Sequence, residues 1–333
     1  MQNGRNLNRR DILSGALGVA TIAPSFASGA RAQGAAYPDG IIKAICPFPP
    51  GSGADVKIRF YSNKLAEKLN ATVIVENRPG ALGYIATEYV ARSKPDGLTI
   101  YIAPGSSMLA SAPYFFKTLK FDPINDFEHI ALLSFSAFVM CVSSAKPIYS
   151  VAELTEYLRK KGPSASYGSV APTSIAFGET YKLRFGLEAE NVKYKEQGQL
   201  IIDLINGSLD FTCIDIITVA GLIKDGQLRP LAMSSAERLK SVPDIPGAAE
   251  AGIPGLDIKN WWSVHVPAKT PKPICDRLEA VFGEIAVEPD TLKFLTDNGS
   301  DPMVGDAKAT RELLIKDTES WREYARIARI EPI

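Results

Sequence analysis

The chain has 333 residues, 46% hydrophobic and 22% charged, which is the composition of a globular protein long enough for two packed cores. Lys plus Arg and Asp plus Glu both number 37, a formal charge of zero that excludes the basic balance of a nucleic-acid binder. The 26 Gly and 23 Pro are spread over many short turns, so no low-complexity tract or solenoid-length repeat is present.

Residues 1–32 read as an export signal. Arg5, Arg9 and Arg10 form a basic start, Ile12 to Ala27 is apolar and small, and Ala30-Arg31-Ala32 offers a cleavage site before Gln33. Arg9-Arg10 followed by Asp11-Ile12-Leu13 resembles a twin-arginine signal, although Asn8 replaces the usual Ser or Thr, so ordinary secretion stays open. The apolar run is short and broken by Pro24, which disfavours a membrane anchor. A soluble periplasmic protein is expected. Losing four Arg and one Asp leaves 33 basic and 36 acidic side chains, a charge of −3.

From Ile41 onward strands and helices alternate. Ile41–Phe48 reads as a strand, Asp55–Asn70 as a helix, Thr72–Val75 as a β-branched strand, Ile85–Arg92 as a helix and Leu98–Ala103 as a third strand. This rhythm predicts a parallel sheet covered by helices. A second series follows, with strands at 138–142, 165–168, 192–194, 209–214 and 228–233 and helices at 151–161, 174–185, 199–206 and 219–224. Residues 258–266 read as a return strand, and helices near 274, at 291–297 and at 307–327 are too few for a domain of their own. They are expected to pack on the first lobe. Two α/β lobes with crossings near 135 and 257 would enclose a hinged cleft.

The stretch "PFPPGSGAD" at 47–55 joins a strand end to a helix start, where backbone N–H groups and the helix dipole favour an anion. Gly51 and Gly53 allow close backbone approach, and Asp55 is a natural cap. No Lys follows the glycines as a P-loop requires, and Val56 stands where a dinucleotide fingerprint needs its third glycine, so nucleotides are disfavoured. In the second lobe "YGSVAPTS" at 167–174 also opens a helix, with Ser169, Thr173 and Ser174 as hydroxyls. Two such loops facing each other could hold a small carboxylate with neutral donors alone, and plain capping is the alternative for each.

Catalysis finds little support. The two His, His129 and His265, sit in strand-like runs and read as structural. Neither a His/Cys metal spacing nor a G-x-S-x-G elbow occurs. Cys46, Cys141, Cys213 and Cys275 have no framework spacing, and lone buried thiols are favoured. Trp261-Trp262 reads equally as core or cleft wall.

The ordered series "PFPPGSGAD", "VENRPGALGYIA" (75–86), "KPDGLTIYIA" (94–103), "YGSVAPTS", "GSLDF" (207–211), "DGQLRPLAMSSAERLKSVPDIPGAAEAGIPG" (225–255) and "WWSVHVPAKTPKPI" (261–274) resembles the periplasmic solute receptors of tripartite tricarboxylate transporters, the Bug-type binding proteins. The resemblance implies an α/β, two-lobed periplasmic binding protein of type II-like, Venus-flytrap form with two interdomain crossovers. Lobe 1 would hold residues 33–135 and 257–333, and lobe 2 residues 136–256. It implies no enzymatic activity, no cofactor and no metal, a small organic carboxylate as ligand, membrane permease subunits as partners, and a monomer. Ligand contacts carried over are Phe48, Pro50, Gly51, Ser52, Gly53, Ala54 and Asp55 in one loop and Ser169, Ala171, Thr173 and Ser174 in the other. Ser106, Ser107 and Asp215 match further cleft positions.

This chain departs from the family pattern at several positions. Gly51-Ser52 stands for the usual pair of glycines, Ala54 for a frequent Ser or Thr, Pro172 for a residue with an N–H, Phe177 for a common His, and Glu196 for Gly. Glu196 would disfavour a second carboxylate. A monocarboxylate is expected, with an aromatic body if Phe48 and Phe177 flank the site. The alternative readings are a receptor that presents its ligand to a signalling partner, and a periplasmic α/β enzyme.

Overall fold

The structure, a computed structural model, describes residues 37–332. The expected export signal lies outside the described residues. In chain order the elements are β1 (Ile42–Cys46), α1 (Gly53–Leu69), β2 (Val73–Asn77), α2 (Tyr84–Ala91), β3 (Thr99–Pro104), α3 (Ala112–Phe115) and β4 (Phe127–Ser143). Then come α4 (Val151–Lys161), β5 (Ser166–Ser169), α5 (Pro172–Phe185), β6 (Glu190–Lys193), α6 (Gln197–Ile205), β7 (Phe211–Asp215), α7 (Ile216–Lys224) and β8 (Leu228–Met233). The chain ends with β9 (Lys259–Pro267), α8 (Lys272–Ala286), α9 (Pro289–Asp297), β10 (Asp301–Gly305) and α10 (Ala307–Ile327).

Local signals explain most boundaries. The Ser52 hydroxyl accepts from Asp55 N at 3.2 Å and starts α1, and Asn70 ends it in the left-handed region at φ 47°. Ser150 and Asp306 cap α4 and α10 in the same manner. Along β1 the alternation is clean. Ile42, Ala44 and Cys46 pack in one core with Ile58 and Leu65 of α1 and Phe282 of α8, while Ile45 enters the core on the opposite face.

The expectation of a parallel sheet holds only at the two ends. β2, β1 and β3 pair in parallel, as do β6, β5 and β7. Between them β9 and β4 run antiparallel, and β8 and β10 also pair antiparallel with β4. The sheet is therefore mixed, in the order β2-β1-β3-β9-β4-β7-β5-β6. The strand expected at 138–142 is in fact the second half of the 17-residue β4. Its residues Phe127–Ala137 pair with β9, and Phe138–Cys141 pair with β7. One strand thus serves both α/β groups. On one face the core runs unbroken from Tyr101 and Trp261 to Tyr167 and Phe211; Trp262 lies in the core of the other face. The C-terminal helix α10 packs against β4 and also against α5 of the second group.

Register also explains the two His. β4 and β9 place His129 opposite His265, with Nδ1 to Nδ1 at 2.9 Å. His129 Nε2 lies 3.1 Å from the Ile124 carbonyl, which can only accept, so this nitrogen carries the proton. His129 Nδ1 then accepts from His265 Nδ1–H, and His265 Nε2 accepts the Ser263 hydroxyl proton at 2.6 Å. Both rings are neutral in this chain of bonds. Burial depresses His129 to about 4, opposed by the Ile124 bond, and burial followed by His129 itself holds His265 well below its usual range.

A group depressed in the folded state binds fewer protons than the unfolded chain below the unfolded value near ~6.5. Stability is therefore full above that pH and falls as pH drops from ~6.5 toward about 4. Melting temperatures between pH 7 and pH 4 should show this fall, and an NMR titration should find His129 neutral until about pH 4. A His129 that titrates near ~6.5 would overturn the assignment.

Gly105 precedes a π-helical turn at Ser106–Ala110. A Cβ there would lie 1.9 Å from the Trp261 ring, which is pinned through Nε1 to Asp317 at 2.8 Å. Gly105→Ala should lower unfolding free energy by about 3 kcal/mol in urea titrations, because the indole cannot retreat.

Candidate functional site

The "PFPPGSGAD" loop is folded from within by Asp55. Its carboxylate accepts from Gly51 N at 2.9 Å, Arg59 Nε at 2.8 Å and Asn77 Nδ2 at 2.8 Å, while Asn77 also donates to the Phe48 carbonyl at 2.9 Å. Burial works to raise this carboxyl, but the bonds from Arg59, Asn77 and Gly51 outweigh it and hold the pKa below the usual range. Asp55 is buried and fully bonded, so it shapes the loop. Ala54 turns into the core with Ile58. Neither lines the cavity described next, for one reason: the first turn of α1 must bury one face.

Pro50, Gly51, Ser52 and Gly53 do face open space. They line a cavity of about 490 Å³ together with Glu196, Gln197 and Gly198 at the start of α6 and Ile217 and Thr218 at the start of α7. The two groups approach closely here. A Cβ on Gly53 would lie 2.9 Å from Ile217 Cγ2 and 3.2 Å from Thr218 N. Phe48 is half-buried against both cores of the first group and is not on this wall.

The second loop divides its residues among three tasks. Ser174 Oγ donates to the Ala171 carbonyl at 2.7 Å and accepts from Val170 N and Ala171 N, so it caps α5. Ala171 is buried as the first cap residue. Ser169 Oγ donates to Asn191 Oδ1 at 2.7 Å and lines a second cavity, of about 440 Å³. Phe177 is fully buried in the core and lines neither cavity, so it does not flank a ligand there.

Thr173, Ser107 and Asp215 meet in a buried hydrogen-bond chain that joins the two groups. Ser107 Oγ has one proton, which it gives to Asn260 Oδ1 at 3.0 Å, so at 3.0 Å it accepts from Thr173. Asn260 Nδ2 donates to Asp215 Oδ2 at 2.8 Å, and Ser136 Oγ donates to the same oxygen at 3.1 Å. Every donor in the chain points toward one carboxylate. Ser106 stands apart, accepting from Trp321 Nε1 at 3.0 Å.

Near Asp215 lies Lys57, fully buried on α1. Its ammonium donates to Ser300 Oγ at 2.9 Å and Ser134 Oγ at 3.4 Å and sits 4.6 Å from the Trp262 ring centroid. Burial lowers the Lys57 pKa to about 8 against the upward pull of Asp215. Burial likewise raises Asp215, against Lys57 and its own hydrogen bonds. Asn260, Ser136 and Lys57 were not singled out from the sequence. Lys57 reads there only as a lysine that comes after Asp55, inside the helix and out of place for a P-loop, and the others need the β4–β9 register to be noticed.

The four thiols are unpaired, with burial raising Cys46 to about 12 and Cys275 to about 11. Among the described residues no cluster of His, Cys, Asp and Glu can hold a metal, and no helix is long and apolar enough to cross a membrane. The hydroxyls of the buried chain are all engaged, so they supply neither a nucleophile nor a base. What the arrangement can do is bind: a cavity with the start of α1 on one side and two further helix starts on the other.

Comparison with known proteins agrees. A family model described as tripartite tricarboxylate transporter family receptor matches residues 58–330. A UPF0065 protein of Bordetella bronchiseptica is 30% identical over 301 residues, 90% of this chain and 89% of its own length. BugT of Bordetella pertussis is 26% identical over 87% of this chain and 90% of its own. Among solved structures, R. palustris Rpa4515 with adipate superposes with a TM-score of 0.84 at 27% identity, covering 89% of this chain and 100% of its own. The periplasmic binding protein BugD reaches 0.81 at 26% identity with the same coverage. The chain therefore belongs to the receptor family of the tripartite tricarboxylate transporters, a family of two-lobed solute-binding proteins rather than enzymes.

Proposed function

We propose that this protein is a periplasmic receptor, exported by way of residues 1–32, that captures a small organic carboxylate between its lobes and delivers it to a tripartite tricarboxylate-type permease. Lobe 1 comprises residues 33–135 and 257–333, lobe 2 residues 136–256, and the receptor acts as a monomer. The observation that carries this reading is the cavity of about 490 Å³ between the 50–53 loop and the starts of α6 and α7, a volume suited to a small solute. Pro50, Gly51, Ser52 and Gly53 form one jaw. Gly51 N and Ser52 N are engaged within the loop, so the Gly53 N–H at the start of α1 and the dipoles of the facing helices are what favour an anion. The adipate held by the R. palustris relative supports the carboxylate class.

The role of the buried chain from Thr173 through Ser107 and Asn260 to Asp215 is to latch the lobes in register, with the ligand bound beside it. Glu196 on the opposite wall opposes a second negative charge in this cavity, so a ligand presents one carboxylate here.

Native mass spectrometry of the protein purified without denaturation should release an organic acid, and titration calorimetry with citrate, aspartate and benzoate should find binding of at least one acid class. Release of a neutral sugar or a cationic solute would sink the proposal. Uptake of the acid should also fail when the neighbouring permease is deleted.

Gly53 gives a second test. It is the first residue of α1, where Ala is the better helix former, so in Gly53→Ala the gain in helix propensity offsets part of the cost of any clash and the protein should still fold. Its Cβ would nevertheless strike Ile217 and hold the jaws apart. Affinity for the acid should fall about tenfold, a loss of roughly 1.4 kcal/mol. Unchanged affinity would remove Gly53 from the closing surface.

A further inference from the structure

Lys57 is fully buried, yet it makes no ion pair among the described residues. The groups in contact with its ammonium all belong to lobe 1: Ser134 Oγ of β4 at 3.4 Å, Ser300 Oγ before β10 at 2.9 Å and the Trp262 ring of β9 at 4.6 Å. These partners are neutral. They replace part of the lost water and leave the charge itself unanswered, which is the costly state of a buried ion.

Lobe 2 brings the opposite charge. Helix α7 packs against α1, and Asp215, the residue that caps α7, is buried and pulls on Lys57. Its carboxylate accepts only from neutral donors, Ser136 Oγ, Asn260 Nδ2 and Ile217 N. The other charges around α1 are committed elsewhere. Asp55 holds Arg59, and Glu284, Glu288 and Asp290 hold Lys64 and Lys68 farther along the helix. Asp301, next to Ser300, accepts from Lys240 N and Ser241 N at 2.9 Å each. Burial pushes the Tyr61 hydroxyl and the Cys46 thiol up, so both are neutral near pH 7. The pair sits behind the closing surface: Lys57 lies one turn after Gly53 on α1, and Ile217 and Thr218, which face Gly53, open the helix that Asp215 caps.

We propose that Lys57 is a positioning residue for ligand capture: its ammonium, already stripped of water by lobe 1, is the counter-charge that draws in Asp215 and seats the start of α7 over the bound acid. The inference rests on the carboxylate-receptor reading and adds to it what pulls the jaws together. It is separate from the neutral latch through Asn260, because attraction between charges acts over a longer distance and requires Lys57 to keep its proton. The proton gives the sign. Burial lowers Lys57 to about 8, and Asp215 opposes that fall only while lobe 2 is in place. Closure therefore favours the protonated form, so affinity is full at lower pH and falls as pH rises through about 8.

The test is titration calorimetry on the full mature chain with whichever of citrate, aspartate and benzoate the native protein binds. Lys57→Met keeps the length of the side chain and buries no charge, so it should melt at the native temperature or above, while the acid binds about tenfold more weakly. The gap in affinity between the native protein and Lys57→Met should close as pH rises from about 7 to about 9.5, a comparison that cancels any titration of the acid itself. Asp215→Asn should weaken binding in the native background, yet change it by less than about threefold in Lys57→Met, because the two charges act as a unit. Lys57→Gln serves the same comparisons if Lys57→Met does not fold. Equal or tighter binding in the Lys57 variant, a gap that stays constant with pH, or the same Asp215→Asn loss in both backgrounds would overturn the inference and leave the receptor reading standing. Failure of every acid to bind the native protein would overturn both.

Discussion

Strand β4 has to satisfy two sets of backbone partners in succession, and the middle of the molecule is arranged around that demand. Up to Ala137 its N–H and C=O groups pair with β9, and from Phe138 they pair with β7 and β8. A strand of 17 residues reaches about 55 Å at ~3.3 Å per residue, enough to run through both α/β groups without a loop. Because side chains alternate, Ser134 and Ser136 emerge on one face, on either side of Phe135. Ser134 meets Lys57 and Ser136 meets Asp215. The hand-over between partners and the placement of the buried charges are thus one geometrical fact.

Those charges are costly unless paired and hydrogen-bonded, which explains why so many hydroxyl and amide groups converge there. Lys57 has two hydroxyls and an indole face, and Asp215 has a serine, an asparagine and a backbone N–H. Truncating Asn260 would leave Asp215 short of one bond and Ser107 without its acceptor, so damage to one partner spreads to both sides of the sheet. An apolar replacement of similar volume could be as stable. What the polar set adds is a single register between elements that also share strand β4 and one continuous core face.

Much of this was legible in advance, and the unread part has a common cause. The helices α4 and α10 and the strand β8 follow from local periodicity and caps such as Ser150 and Asp306, which act within four residues. The loop at 50–53 was legible as a tight strand-to-helix connection because its Gly and Pro residues favour one, and it lines the 490 Å³ cavity. Strand direction was not legible: β4, β8 and β9 look like any apolar run, β10 gives no strand signal, and antiparallel pairing depends on partners far along the chain. The same holds for His129 against His265 and for Ser107 against Thr173, whose meeting is set by register and not by spacing. Asp55 and Ala54 show how a motif names residues while burial decides which face each one shows: both are buried and neither lines the 490 Å³ cavity. Phe177 was misplaced in the same way, since one turn of α5 points it at the core.

The four thiols bear on the protein's history before it reaches its ligand. Cys46, Cys141 and Cys213 are buried single thiols, and Cys275 is half-covered without a partner. No cross-link contributes to the native state, so its stability comes wholly from packing and hydrogen bonding. The same native state is then attainable in a reducing or an oxidising solvent. The redox character of the compartment therefore does not dictate where this chain can fold.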